Sequence, residues 1–237
     1  NYLRLRQALP AIPGDNQIAV LVAQGTIMEG EGAGVAAADT LVRKIRNVRN
    51  NDQIKGLVLR VDSPGGSAFA SELIRQELEL LQIAGKPVVA SFGSVAASGG
   101  YWISATADAI VSEPTTITGS IGIFGVVPSF ENALDRLGIH SDGTGTTPLT
   151  SIDPLAGLND EFKSILQSNI EFGYRQFTDL VARGRNMEPE AVEAMAQGRV
   201  WQGDKAFELG LVDALGDTQV AIEKAAELAE LSDWSVR

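Results

Sequence analysis

The 237-residue chain has no cysteine and a single histidine, His140. The first absence excludes disulfides, thiolate–zinc sites and a cysteine nucleophile. The second excludes a metal centre built on several histidines. Basic residues are scarce, 19 against 30 acidic ones, for a net charge of −11. That balance argues against nucleic acid or anionic lipid as a broad-surface partner. No glycine run is followed by lysine and a hydroxyl residue at phosphate-loop spacing, which argues against nucleotide binding. Internal repeats and low-complexity segments are absent as well. One stretch without a charge, residues 88–107, would be long enough to span a bilayer. It is broken by Gly93, Gly99 and Gly100 and carries Ser91, Ser94, Ser98 and Ser104, a polar centre that a lipid-facing helix does not hold without partners. It reads as buried strand, turn and buried helix.

What is present is ordinary globular composition, 44% apolar and 21% charged, with 25 glycines. Such a length fits one large domain or two small ones. Residues 17–23 (QIAVLVA), 56–61 (GLVLRV), 87–92 and 108–112 are short apolar runs rich in β-branched side chains and read as buried strands. Between them, residues 35–50 and 67–84 place Leu41, Val42, Ile45 and Val48, then Leu73, Ile74, Leu78 and Leu81, at helical spacing. Another helix is expected to start near Ser98. Residues 115–127 are apolar and glycine-punctuated, 129–137 helical, and 139–157 a polar loop. Beyond these, 158–183, 188–197, 204–209 and 218–231 read as helices. Strands alternating with helices predict an α/β domain with largely parallel pairing. The expected division is a linker from an upstream half over 1–16, an α/β catalytic core over 17–157, and a helical C-terminal region over 158–237 that packs on the core or a neighbouring subunit.

Two glycine clusters follow predicted strands. The first is Arg60-Val61-Asp62-Ser63-Pro64-Gly65-Gly66-Ser67, the second Gly93-Ser94-Val95-Ala96-Ala97-Ser98-Gly99-Gly100-Tyr101. Ligands of open α/β folds sit at the carboxyl ends of strands, and glycine there frees N–H groups to point at them. Gly65 and Gly66 can thus supply oxyanion donors. The second cluster can set Ser98 on a turn at a helix N-terminus, whose partial positive charge favours an alkoxide. Each has a plainer reading, a turn for the first and a helix N-cap for Ser98. A serine nucleophile needs a base. His140, with Asp142 close by, is one option. A lysine is the other, provided burial lowers its pKa by about 3 units. Lys44, Lys163, Lys205 and Lys224 lie on predicted helices. Lys55 and Lys86 precede strands, at the end opposite the glycine clusters. None is well placed.

The segments DSPGGS (62–67), SVAASGGY (94–101) and TGSIG (118–122), with GRVW (198–201) and GLVD (210–213), resemble the signal peptide peptidase A (protease IV) family over residues 18–217. The resemblance implies a crotonase/Clp-protease-like spiral of β-β-α units and a membrane-associated serine protease with a Ser/Lys dyad. It implies no cofactor and no metal. Ser98 matches the nucleophile; Gly65, Gly66 and Gly99 match the region of the oxyanion hole; Ser120 matches a serine that orients the lysine. Its substrates would be cleaved signal peptides, its place the periplasmic face of the bacterial inner membrane, and its state a homo-oligomer. One departure stands out: short members carry the base lysine in the region that is 139–151 here, and none is present. The long form is built of tandem halves, and this chain resembles its serine-bearing C-terminal half, the N-terminal half donating the lysine. Two readings compete. A crotonase-like acyl-CoA enzyme would use the same oxyanion geometry, and a scaffold half would use the glycines for packing alone.

Overall fold

A computed structural model describes residues 16–141, 145–147, 155 and 157–237. Nearly all of the expected linker, Asp142 and much of the polar loop before Gly157 lie outside the described residues.

β1 (Gln17–Gln24), β2 (Ile27–Met28), β3 (Ala36–Ala37), β4 (Ile54–Ser63), β5 (Val88–Ala97), β6 (Ala109–Ser112) and β7 (Ile117–Gly119) follow in that order through the first half of the chain. β8 (Val200–Gln202), β9 (Ala214–Leu215) and β10 (Ser235–Val236) lie in the second half. Strands form at each of the four apolar runs, as β1, β4, β5 and β6, and the further ones are short. The main sheet runs β10-β1-β4-β5-β6-β9, and every pairing along that path is parallel. Parallel neighbours need crossovers, which the intervening helices provide. α1 (Ala38–Arg49) buries Leu41, Ile45 and Val48. α2 (Ala68–Ile83) buries Ile74, Leu78 and Leu81, and starts where Ser67 Oγ accepts from the Ala70 N–H at 3.2 Å. The expected helices at both places are therefore present.

The sheet is covered on both faces, as parallel sheets require. Ile18, Val58, Val89 and Val111 pack with Ala221, Ile222, Ala225 and Ala226 of α8 (Thr218–Leu228). The alternating residues Leu57, Leu59, Val61 and Phe92 are equally buried, and by the two-residue period of a strand they point to the other face. Here Phe92 meets Tyr101 edge-on, ring centroids 6.2 Å apart.

The chain divides into two compact units, one of residues up to Ile121 together with Thr178–Arg237, the other Gly122–Phe177. The second unit holds the short helix α4 (Glu131–Asp135) and most of α5 (Asp160–Arg185). α6 (Pro189–Met195), α7 (Gly203–Glu208) and α8 complete the first. The C-terminal third is helical as expected, but it also contributes β8, β9 and β10, which are too short for a period-2 pattern to register. Among the described residues, no helix is long and apolar enough to cross a membrane, and no group of three or more histidine or acidic side chains could hold a metal ion.

Candidate active site

β5 runs five residues further than its apolar sequence predicts, to Ala97. Ser98 follows at once, before the one-turn helix α3 (Gly99–Trp102). The serine is half-buried, with φ 52° and ψ −119°, a conformation that a residue with a Cβ rarely adopts. Two hydrogen bonds fix it. Its N–H donates to Gly119 O at 2.9 Å, and its carbonyl accepts from Trp102 N at 2.8 Å. A single turn has few aligned peptide dipoles, so α3 supplies local N–H groups more than the macrodipole expected of a longer helix.

The two glycine clusters meet face to face. A Cβ on Gly65 (φ 99°) would lie 2.6 Å from Gly99 N and 2.8 Å from Ser98 Cβ. One on Gly99 would lie 2.5 Å from Ser71 Oγ and 3.2 Å from Gly66 N, and one on Gly100 only 2.7 Å from Ser63 O. One on Gly66 would run into Ile27 O. The glycines thus permit backbone-to-backbone approach that no side chain would allow.

Donor accounting separates the three candidate N–H groups. Gly65 N–H donates to Ser63 Oγ at 3.1 Å, and that hydroxyl donates in turn to Gly25 O at 2.6 Å. Gly65 is therefore already occupied. In the parallel bridge between Ile27 and Gly66 the bonds run from Ile27 N to Gly65 O and from Ser67 N to Ile27 O, so the Gly66 N–H takes no part. Gly99 is the first residue of a helix, and its N–H has no intrahelical acceptor. Gly66 and Gly99 remain as the donor pair beside Ser98.

Ser120 follows Gly119, which pairs with Ala97 in parallel register. Ser98 and Ser120 thus extend neighbouring strands at one level. Both have left-handed φ, 52° and 51°. The second turn is pinned where Ser120 N donates to Arg199 O at 2.7 Å and Gly119 packs on Trp201.

The candidate bases are elsewhere. His140 is exposed and lies 3.1 Å from Asp135 within the second unit. Burial pushes the Lys86 ammonium below the usual lysine range, yet its Nζ donates to the carbonyls of Val48, Arg49 and Asn51 at 2.8–2.9 Å, capping the end of α1. It precedes β5, and Ser98 follows the same strand's other end. Lys205 and Lys224 pair with Glu208 and Glu227, and in the second unit Lys163 pairs with Asp160. Lys44 is exposed on α1, and Lys55 sits at the start of β4. Among the described residues, no hydrogen bond or ion pair joins a lysine of the first unit to Ser98.

Several site-building residues were not singled out by sequence reasoning. They are Ser63, Ser71 and the buried Thr116 and Thr118. A signal existed in the last two, since Thr116, Thr118 and Ser120 alternate as hydroxyls through β7 and the residues on either side of it.

Residues 81–232 match peptidase family S49. The chain belongs to this family. It is 51% identical over 218 residues to Protease 4 of Salmonella typhi, and 48% identical over 214 residues to Protease 4 of Haemophilus influenzae. Those alignments take in 92% and 90% of the S49 chain but 35% of each relative, so the chain spans about a third of their length. Among solved structures, a ClpP1 mutant from Listeria monocytogenes superposes with a TM-score of 0.58 at 13% identity, over 86% of this chain and 94% of that one. This likeness places the S49 chain in the Clp-protease-like α/β fold. Family and relatives together make it a domain of a peptidase family.

Proposed function

We propose that the S49 chain supplies the nucleophile and oxyanion hole of a serine endopeptidase, and that another part of the longer protein supplies the general base, a lysine. The observation that carries this reading is the contact of the glycine clusters, which sets the N–H groups of Gly66 and Gly99 beside a half-buried, left-handed Ser98.

Ser98 Oγ attacks the peptide carbonyl carbon while the neutral amine of the incoming lysine takes its proton. The carbonyl π electrons move to oxygen, and Gly66 and Gly99 donate to the resulting oxyanion. One such donor is worth about 3 kcal/mol of barrier. The ammonium returns its proton to the leaving nitrogen as the C–N bond breaks. Water, giving a proton to the same amine, then attacks the acyl carbon, and the ammonium returns that proton to Ser98 Oγ as the C–Oγ bond breaks. Ser120, level with Ser98, is the hydroxyl available to orient the amine. The lysine must be neutral near pH 7, which takes a fall of about 3 units from its reference value and hence a dry site. The apolar segments of cleaved signal peptides are the substrate in keeping with the family resemblance, while Ala96, Ala97 and Ile121 beside the motif are themselves buried. A membrane-anchored, periplasm-facing homo-oligomer is the setting in keeping with that substrate.

The acyl-CoA alternative requires a free carboxylate at the carbonyl. Asp62, within the first cluster, has its Oδ1 engaged by Val95 N–H at 3.2 Å, and Glu29 accepts a hydrogen bond from Ser67 Oγ, which weakens that reading.

The test is fluorophosphonate labelling of Ser98 in the full-length protein and in this chain alone. Labelling is expected when the upstream segment is present and not without it. Ser98→Ala is expected to abolish labelling and to lower peptide hydrolysis by roughly 10⁶-fold. Hydrolysis that survives this substitution removes the nucleophile assignment. A full-length protein that never labels leaves a scaffold.

A further inference from the structure

β5 changes neighbours just ahead of Ser98. Its first half pairs with β6 through Ser91–Val111, and its last residues pair with β7 from Val95–Ile117 onward. On the other side its register against β4 slips, with Val61 opposite Phe92 but Ser63 opposite Ala96. Asp62 alone thus faces Gly93, Ser94 and Val95. An interruption of this kind strips peptide groups of their ladder partners, and buried ones must find others.

Side chains take over. Arg60 Nη1 donates to Phe92 O at 2.6 Å. Thr116 Oγ1 donates to Gly93 O at 2.7 Å, and Thr118 Oγ1 to Ala96 O at 2.7 Å. Val95 N donates to Asp62 Oδ1 at 3.2 Å. Thr116 and Thr118 are 1% and 0% exposed, so water cannot replace their hydroxyls. Gly93 packs so closely on Asp62 that a Cβ there would lie 3.0 Å from the Asp62 Cβ and Cγ.

We propose that Arg60, Asp62, Thr116 and Thr118 are positioning residues for the reaction: they hold the interrupted segment of β5 in one geometry and so fix where Ser98 stands against the Gly66 and Gly99 donors. Only Ala97 separates the Thr118–Ala96 bond from Ser98, and Ala97 is itself paired with Gly119. Loss of one bond lets the end of β5 shift without dismantling the core. Misplacement by about 1 Å costs on the order of a hundredfold in rate.

This inference rests on Ser98 being the nucleophile. The experiment uses the full-length protein and Thr118→Val, which keeps the shape and removes the hydroxyl. Expected is a kcat lowered roughly ten- to hundredfold with KM within about twofold, a matching slowing of fluorophosphonate labelling, and recovery of most of the rate in Thr118→Ser. A merely structural residue would lower the unfolding midpoint and leave the kcat of the folded fraction intact, and that result overturns the proposal. So does a folded Thr118→Val with unchanged kcat, or a loss that Thr118→Ser does not repair. If Thr118→Val does not fold, Thr116→Val and Thr116→Ser carry the same comparison at Gly93 O, with the same criteria. If wild type is not labelled at Ser98 at all, the nucleophile assignment fails first, and the two failures stay distinct.

Discussion

Ser98 holds a conformation that costs stability. At φ 52° and ψ −119° its Cβ is crowded against the backbone, and such outliers cost of order 1–3 kcal/mol and gather at functional sites. Glycine lacks the Cβ but loses more backbone entropy on folding, roughly 0.5–1 kcal/mol. Ser98→Gly is therefore expected to stabilise the protein by about 1 kcal/mol while abolishing labelling. Thermal unfolding checks it, and a lower midpoint would mean that the turn stores no strain. At this scale much was readable in the sequence. Ser98, Gly65, Gly66 and Gly99 stand in recognisable clusters, and the structure brings them together. Which glycine keeps a free N–H was not readable, because it depends on where the Ser63 hydroxyl turns. A serine in a Ser-Pro-Gly-Gly turn looks the same whether it caps Gly65 or faces water.

The elements were legible wherever one face of a helix or a whole strand is apolar. α1, α2 and α8 fall where the 3.6-residue period puts them, and β1, β4 and β6 where β-branched runs occur. β5 was seen only to Phe92, because Gly93, Ser94 and the small residues after them carry no strand signal. Their extended backbone comes from β7 and from the side chains of Arg60, Asp62, Thr116 and Thr118, contacts that are distant in sequence. β7 and β8 went unread for a similar reason, each being three residues long. Lys86 shows the same limit. From sequence it is a lysine before a strand, but in the fold it closes the end of α1 by donating to three carbonyls. Lys86→Met keeps the aliphatic stem and removes those donors. The expected cost is about 1–3 kcal/mol, since hydrogen bonds to a charged group are at the strong end of the range. Denaturant unfolding measures it, and hydrolysis by the full-length enzyme is expected to be unchanged. A loss of activity without a loss of stability would reopen Lys86 as the base.

For the whole molecule, the sequence could say that a base is missing but not that the chain forms two units, because compactness is a property of contacts between distant segments. In the first unit, a hydrogen bond ties α2 to α3, the turn after Ser98, and an ion pair ties it to the end of α5. Arg75 is only 6% exposed and pairs with Glu72 at 2.8 Å and Glu79 at 2.7 Å; Arg183 reaches Glu79 at 3.0 Å. Trp102 Nε1, in α3, donates to Glu72 Oε2 at 2.8 Å. Burial pushes the Glu72 carboxyl up, but the hydrogen bonds from Arg75, Trp102 and Gln76 outweigh it and hold the group below the ordinary 4.5. Glu79 is also held below 4.5, chiefly by its hydrogen bond from Arg75. Both carboxyls are thus more acidic folded than unfolded. Their contribution is present in full above the unfolded value and is lost as pH falls through the lower, folded one. Unfolding midpoints should therefore drop as the pH falls below about 4.5. Glu72→Gln keeps an acceptor for Trp102 but cannot titrate. It should melt a few degrees lower than wild type at pH 7, and the gap should narrow as the pH is taken below 4. Parallel melting curves across that range would show that this network does not set the acid limit of the fold.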